Sequence, residues 1–278
     1  MHNFSSLEFK DNFEAMKRKL LTQSPFNVGT WQSQKIEMPM LELLNVSTVY
    51  MMPESADQAG VETGARLPWA EDHHLERVGG KPLNPSPSEA WWPFRKKSAD
   101  GDTNKDHKSE GEAFSHTYPE RLWPKVANAE YGFEMKEESE LGWTRWGIRF
   151  AYGDLGDIVT QLARDPYTRQ AYLPLWFPED TGAVHGKRVP CSLGWQFQIR
   201  HGVIHTTYFM RSTDLLRHYQ DDIYLATRLT HWVRDRLADA TNEKLLMGTL
   251  AFHTGNMHIF EADRELIKYW DTQGKVWF

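Results

Sequence analysis

The chain has 278 residues, 40% hydrophobic and 25% charged, the mix of a soluble globular protein, which excludes a wholly disordered or fibrous chain. Its 32 basic and 38 acidic residues leave a net charge of −6, so no nucleic-acid partner is expected and any phosphate must be gripped by a few local arginines. The single cysteine excludes an internal disulfide and a Cys-rich zinc site.

No apolar stretch approaches the ~20 residues of a membrane span, and the start MHNFSSLEFKDNF has no secretory pattern. A cytoplasmic setting is expected (host cytoplasm if the source is viral), with no membrane partner. Phe9, Phe13, Met16 and Leu20 share one face of a helix over residues 6–21, which Pro25 ends. A strand over 46–52 and a polar, glycine-containing loop over 57–65 follow. WAEDHHLER, residues 69–77, reads as a short helix closed by Gly79 and Gly80. Residues 95–112 are mostly charged, with alternating signs and no large apolar side chain, so 95–116 is expected to be a mobile surface insertion.

The pattern sharpens after Gly153. Asp154 caps a helix to 165 bearing Leu155, Ile158 and Leu162, and 171–177 reads as a strand. Trp195, Phe197 and Ile199 alternate with polar residues before His201-Gly202, and 203–210 returns as a hairpin. Residues 213–240 keep the helical period through Leu215, Tyr219, Ile223, Ala226, Leu229, Val233 and Leu237. A strand over 245–252 and a helix over 261–270 close the chain. Strands and helices interleave without a linker, so 1–278 reads as one α/β domain. Twelve tryptophans exceed what a core needs, and some are candidates to line a pocket for a flat ligand.

Three groups could carry chemistry. Cys191 follows a proline at the mouth of a strand; it is either a small buried hydrophobe or, with Arg188 three residues upstream, a nucleophile. Arg211-Ser212-Thr213-Asp214 precedes the long helix and is either a phosphate seat or an ordinary helix cap. Asp221-Asp222 is either a solvated pair or presents one carboxylate inward, toward a ligand or a fixed cation.

The run PCSLGWQFQIRHGVIHTTYFMRSTDLLRHYQDD resembles the centre of the thymidylate synthase family, with Cys191, Gln196-Phe197, Gly202, Arg211-Ser212, Asp214 and Asp222 in register. DPYTRQAYLPLW resembles the family's Asp-Pro-x-Ser-Arg-Arg strand, and GNMHIF its Gly-x-x-His-x-Tyr. The resemblance implies the thymidylate synthase fold, α/β (α+β), with a mixed β-sheet and packed helices in a homodimer. It makes Cys191 the nucleophile toward C6 of a pyrimidine nucleotide and 5,10-methylenetetrahydrofolate the one-carbon donor, with no metal. It further implies that Glu71 organises water and proton transfer, that Tyr131 lies near the nucleophile, and that Trp92 stacks on folate while Asp214 faces its pterin. Arg188, Arg211 and Ser212 would hold phosphate together with Arg169 from the other subunit, and His258 the sugar hydroxyl.

One position separates branches of the family. Asp222 stands where thymidylate synthases carry Asn, and a carboxylate accepts both donors of N3-protonated cytosine. It resembles the bacteriophage deoxycytidylate hydroxymethylases, which implies dCMP as substrate and a hydroxymethyl product. Methylation of the same nucleotide, use of CMP or dUMP, and a non-catalytic nucleotide-binding member are the alternatives. Gln170 departs from the family's second arginine, Phe260 from its tyrosine, Ser192 from a frequent histidine and His218 from a glycine.

Overall fold

The alternating run after Cys191 forms the centre of the sheet. The computed structural model describes residues 1–27, 38–88, 116–125, 153–178, 180–181 and 189–273. In it β5 (Ser192–Arg200) and β6 (Val203–Met210) form the expected hairpin, turned by His201 and Gly202 at φ 51° and 75°. Positive φ at both turn residues matches the twist of the flanking strands.

Around the hairpin are β1 (His2–Phe4), α1 (Phe9–Leu21), β2 (Phe26–Asn27), β3 (Pro39–Met51), α2 (Ala56–Thr63), α3 (Trp69–Val78) and α4 (Tyr118–Leu122). Then come α5 (Leu155–Arg164) and β4 (Tyr172–Pro174), and after the hairpin β7 (Thr213–Asp214), α6 (Tyr219–Thr241), β8 (Leu246–Phe260) and α7 (Arg264–Thr272). The sheet is mixed, in the order β1-β3-β8-β6-β5-β4, with β2 paired to β3 and β7 to β8. The β8–β6 pair is parallel and the β3–β8 and β5–β6 pairs antiparallel. This is the expected single-domain α/β architecture.

One face of the sheet carries the core. Phe9 and Phe13 of α1 stack on Tyr219 of α6 at 5.6 and 6.5 Å, and Trp195 stacks on Tyr208 at 4.8 Å. The predicted apolar faces of α1 and of the long helix are buried, from Phe13 and Met16 to Ile223, Ala226, Leu229 and Val233. Each fully buried Phe, Met, Ile, Leu or Val side chain contributes roughly 1.5–3 kcal/mol. The other face has Tyr172, Phe209 and His253 in a row at 6.3 and 5.5 Å, and none of the three is fully buried.

Several boundaries differ from expectation for local reasons. The long helix begins at Tyr219, not 213, because Thr213 and Asp214 pair with β8 and the Asp214 carboxylate accepts Leu216 N and Arg217 N at 2.9 and 3.0 Å. The expected loop over 57–65 contains α2. Ser55 caps it, and its buried face is small: a Cβ on Gly60 would meet Leu67 Cδ1 at 2.8 Å. No apolar period announces such a helix. The strand expected over 171–177 is only β4, whereas β8 continues past 252 to Phe260. Its burial phase slips between Thr254 and Met257, which are both buried, so the alternation looks broken in the sequence. The final helix starts later, at Arg264, after a 3-10 turn at Glu261–Asp263. The 95–115 part of the charged insertion lies outside the described residues.

α4 is anchored by a buried ion pair. Arg121 donates to Asp180 at 2.6 and 2.8 Å and to Leu175 O at 2.6 Å, while Asp180 accepts Phe177 N at 2.8 Å. Removing one partner strands a buried charge. Arg121→Met should therefore cost about 3–5 kcal/mol, read as a lowered denaturant midpoint with an unchanged m-value.

Candidate active site

Cys191 is half-buried, immediately before β5. Arg211, the residue after β6, closes on it from the end of the hairpin. Arg211 N donates to Cys191 O at 2.8 Å and Nε to Pro190 O at 2.9 Å, while Nη2 lies 3.5 Å from Cys191 Sγ. A guanidinium thus stands within hydrogen-bonding reach of the sulfur. Arg211 stands where β6 ends rather than at the start of a helix, so the candidate phosphate seat expected where the long helix begins is a strand-end feature.

The next residue links Cys191 to two tyrosines. Ser192 N and Oγ donate to Tyr118 Oη at 3.4 and 3.2 Å, and Ser192 Oγ is 2.5 Å from Tyr208 Oη. Tyr118 opens α4, where Thr117 and Glu120 form a capping box. Burial and the neighbouring Cys191 push the Tyr118 hydroxyl above the usual phenol range. Sequence reading missed Tyr118, although the Thr-x-x-Glu signature beside an aromatic was there to be read. Tyr131, Trp92 and Arg188 lie outside the described residues.

Asp222 occupies the first turn of α6, and Thr213 Oγ1 donates to its Oδ2 at 2.7 Å. Burial pushes its carboxyl up to about 7, opposed by the Thr213 hydrogen bond and by the charge of Arg77. The expectation that one of the two aspartates turns inward is met by Asp221, while Asp222 is half-buried. Asp221 is buried, accepting Arg66 N at 2.9 Å and Arg66 Nη1 at 2.6 Å. The fixed cation expected for an inward carboxylate is thus Arg66, and it belongs to Asp221.

Ser212 and His258 come together across β7 and β8. Ser212 Oγ is 3.4 Å from His258 Nδ1, which is 2.9 Å from Asn256 Oδ1. Burial lowers the imidazole from its usual value, which keeps it neutral. With Nδ1 donating to Asn256, Nε2 is left as an acceptor, the role a sugar hydroxyl needs. Asp214 is buried; besides its two backbone donors it accepts Arg217 Nη1 at 3.0 Å. Three donors on two oxygens leave one lone pair, so Asp214 can take one further donor such as a pterin N–H. Arg169 is exposed between α5 and β4, and its guanidinium has no hydrogen-bond or ion-pair partner among the described residues.

Glu71 is held by α6. It accepts Arg228 Nε and Nη2 at 2.9 and 2.8 Å and Tyr224 Oη at 2.7 Å, so α3 is clamped to the middle of α6. Burial alone would raise its carboxyl, but Arg228 and Tyr224 hold it below the usual range. None of these bonds reaches the Cys191–Ser192–Tyr118 group. α3 instead turns Arg77 toward that group, with Cζ 4.2 Å from the Tyr118 ring centre.

The result is a single-domain mixed α/β protein that gathers a thiol, a guanidinium, two phenols and a half-buried carboxyl where strands β5, β6 and β7 end. The chain belongs to the thymidylate synthase family, whose sequence pattern it matches over residues 118–271, more than half its length. It is 27% identical to a protein of Methanosarcina barkeri provisionally named a thymidylate synthase, over 111 residues, 40% of this chain and 48% of that one. Identity and coverage are the same for a similarly named protein of Methanococcoides burtonii. It is 26% identical to the bifunctional dihydrofolate reductase-thymidylate synthase of Glycine max over 114 residues, 34% of this chain and 21% of that one. The chain thus spans about half the length of the archaeal relatives it matches. No helix among the described residues is long and apolar enough to cross a membrane.

Proposed function

We propose that the protein hydroxymethylates C5 of a cytosine nucleotide, dCMP, using 5,10-methylenetetrahydrofolate, the reaction of the bacteriophage deoxycytidylate hydroxymethylase branch. Asp222 carries this reading. A carboxyl poised near neutrality, backed by Thr213, can share a proton with cytosine N3 and accept from the exocyclic amine. The Cys191 thiolate adds to C6, which makes C5 nucleophilic. Asp222 stabilises the N3-protonated adduct.

Arg211 and Ser212 hold the phosphate, and His258 Nε2 accepts the sugar hydroxyl. Asp214 holds the folate, which supplies a one-carbon unit at the oxidation level of formaldehyde. The Tyr118 and Tyr208 hydroxyls, joined through Ser192, are the candidates to move the C5 proton. The homodimer is supported by the partly exposed Tyr172–Phe209–His253 row and by Arg169, whose free guanidinium suits a phosphate on a partner subunit.

The deciding experiment incubates dCMP, CMP and dUMP separately with the folate and weighs both products. The expected result is 5-hydroxymethyl-dCMP with tetrahydrofolate. Dihydrofolate with a methylated base would make the protein a methyltransferase. Turnover of dUMP alone would remove the cytosine assignment.

A further inference from the structure

Arg217 lies in the turn between β7 and α6, and its guanidinium joins two carboxylates. Nη1 donates to Asp214 Oδ2 at 3.0 Å, while Nη1 and Nη2 together fork onto Asp263 at 2.5 and 2.8 Å. Its Cζ is 4.9 Å from the centre of the Phe260 ring, which meets His258 edge-on at 6.0 Å. One side chain thus touches Asp214, the last residue of β8 and the 3-10 turn that follows it.

These bonds decide which lone pair of Asp214 stays open. Oδ1 is filled by Leu216 N and Arg217 N, so the carboxylate cannot turn without losing backbone bonds. Oδ2 takes Arg217 Nη1 and, among the described residues, no second donor. Because Asp263 occupies the fork, Arg217 reaches Asp214 through a single N–H, and the other Oδ2 lone pair is left over. Two carboxylates on one guanidinium also leave the trio one negative charge, at a site where Asp214 is only 3% exposed. A buried charge of that kind is costly, and an N–H brought to Oδ2 by a ligand offsets it.

We propose that Arg217, clamped by Asp263, is a positioning residue for the folate, holding the Asp214 carboxylate so that one Oδ2 lone pair meets a single pterin N–H. The inference rests on the folate reading of Asp214 above.

The test measures KM for 5,10-methylenetetrahydrofolate and the equilibrium binding of tetrahydrofolate and of dCMP, with thermal melts in parallel. It compares the wild-type protein with Asp214→Asn, Arg217→Leu, Arg217→Lys and Asp263→Ala. A hydrogen bond to a charged group corresponds to about 10- to 100-fold in affinity, and Arg217→Leu should raise the folate KM and the tetrahydrofolate Kd by that factor. Affinity for dCMP should stay within about twofold, because Arg211 and Ser212 keep their own partners. Arg217→Lys keeps a cation between the two carboxylates and should recover most of the loss. Asp263→Ala frees the fork to shift on Asp214 and should weaken folate by about three- to tenfold. Tetrahydrofolate binding reads the contact without turnover, so failure of the dCMP assignment leaves the test standing.

Unchanged folate constants in folded Arg217→Leu overturn the proposal; where that variant does not fold, the same result in Asp263→Ala overturns it. Equal weakening of dCMP and folate does so too, since an ion pair that merely braces the fold loosens both ends of the site. A folded Arg217→Lys no better than Arg217→Leu is a third contrary result. Asp214→Asn with both folate constants unchanged removes the folate reading itself, and the inference with it. If Asp214→Asn weakens folate and Arg217→Leu does not, the reading stands and only the inference falls.

Discussion

Cys191→Ala should lose turnover by on the order of 10⁴-fold or more while still folding and binding dCMP. On the proposed reading the thiolate acts only once the base is seated, so its removal should leave the ground-state contacts intact. Arg211 keeps its bonds to Pro190 O and Val189 O when the sulfur is gone, so the phosphate end of the site should stay in place. The side chain is small and half-buried, and its truncation should change stability by no more than about 1 kcal/mol. Tritium release from C5-labelled dCMP reports the attack directly. Release at a near wild-type rate from Cys191→Ala would sink the nucleophile assignment, because the ring cannot be activated at C5 without an addition at C6.

The pocket wall was legible in the sequence where one chemical signal sufficed. The hairpin from Ser192 to Met210 shows alternation and a His-Gly turn, and α1 and α6 show an unbroken apolar period, so all three were readable. The partners of Glu71 were not readable, because a helix of ten residues presents several polar side chains and only packing decides what each one meets. Here the Arg228 fork and Tyr224 claim Glu71 from the α6 side, so Arg77 faces Tyr118. Asp214 illustrates the opposite error. Its position suggested the start of a helix, but pairing of β7 with β8 fixed it in the sheet, and its carboxylate became the cap of the following turn. Long-range pairing of that kind leaves no local trace. Tyr118 was missed because its partner, Ser192, is 74 residues away.

Asp222→Asn should give the largest change in specificity. Asn offers one donor and one acceptor, which suits uracil O4 and N3–H, whereas on the proposed reading the carboxyl shares a proton with cytosine in a charge-assisted pair. Losing that pair should cost on the order of 2–4 kcal/mol of transition-state stabilisation, roughly 30- to 1000-fold in kcat/KM for dCMP. Activity on dUMP should rise over the same change, short of an efficient synthase, because on the cytosine reading the other pocket residues stay tuned to cytosine. Stability should move in the other direction. Asp222 binds its proton more tightly folded than unfolded, so its ionisation costs the native state increasingly as pH rises from about 4 to about 7. Asp222→Asn removes that cost, and its melting temperature should exceed wild type at pH 8 but not at pH 4. A solvated carboxylate would give neither effect: stability within about 0.5 kcal/mol at every pH and an unchanged dCMP:dUMP ratio. An unchanged ratio in the folded variant would remove the reason for assigning a cytosine nucleotide, whatever the melts show, because the ratio reads the base contact and the melts read only the burial of the charge.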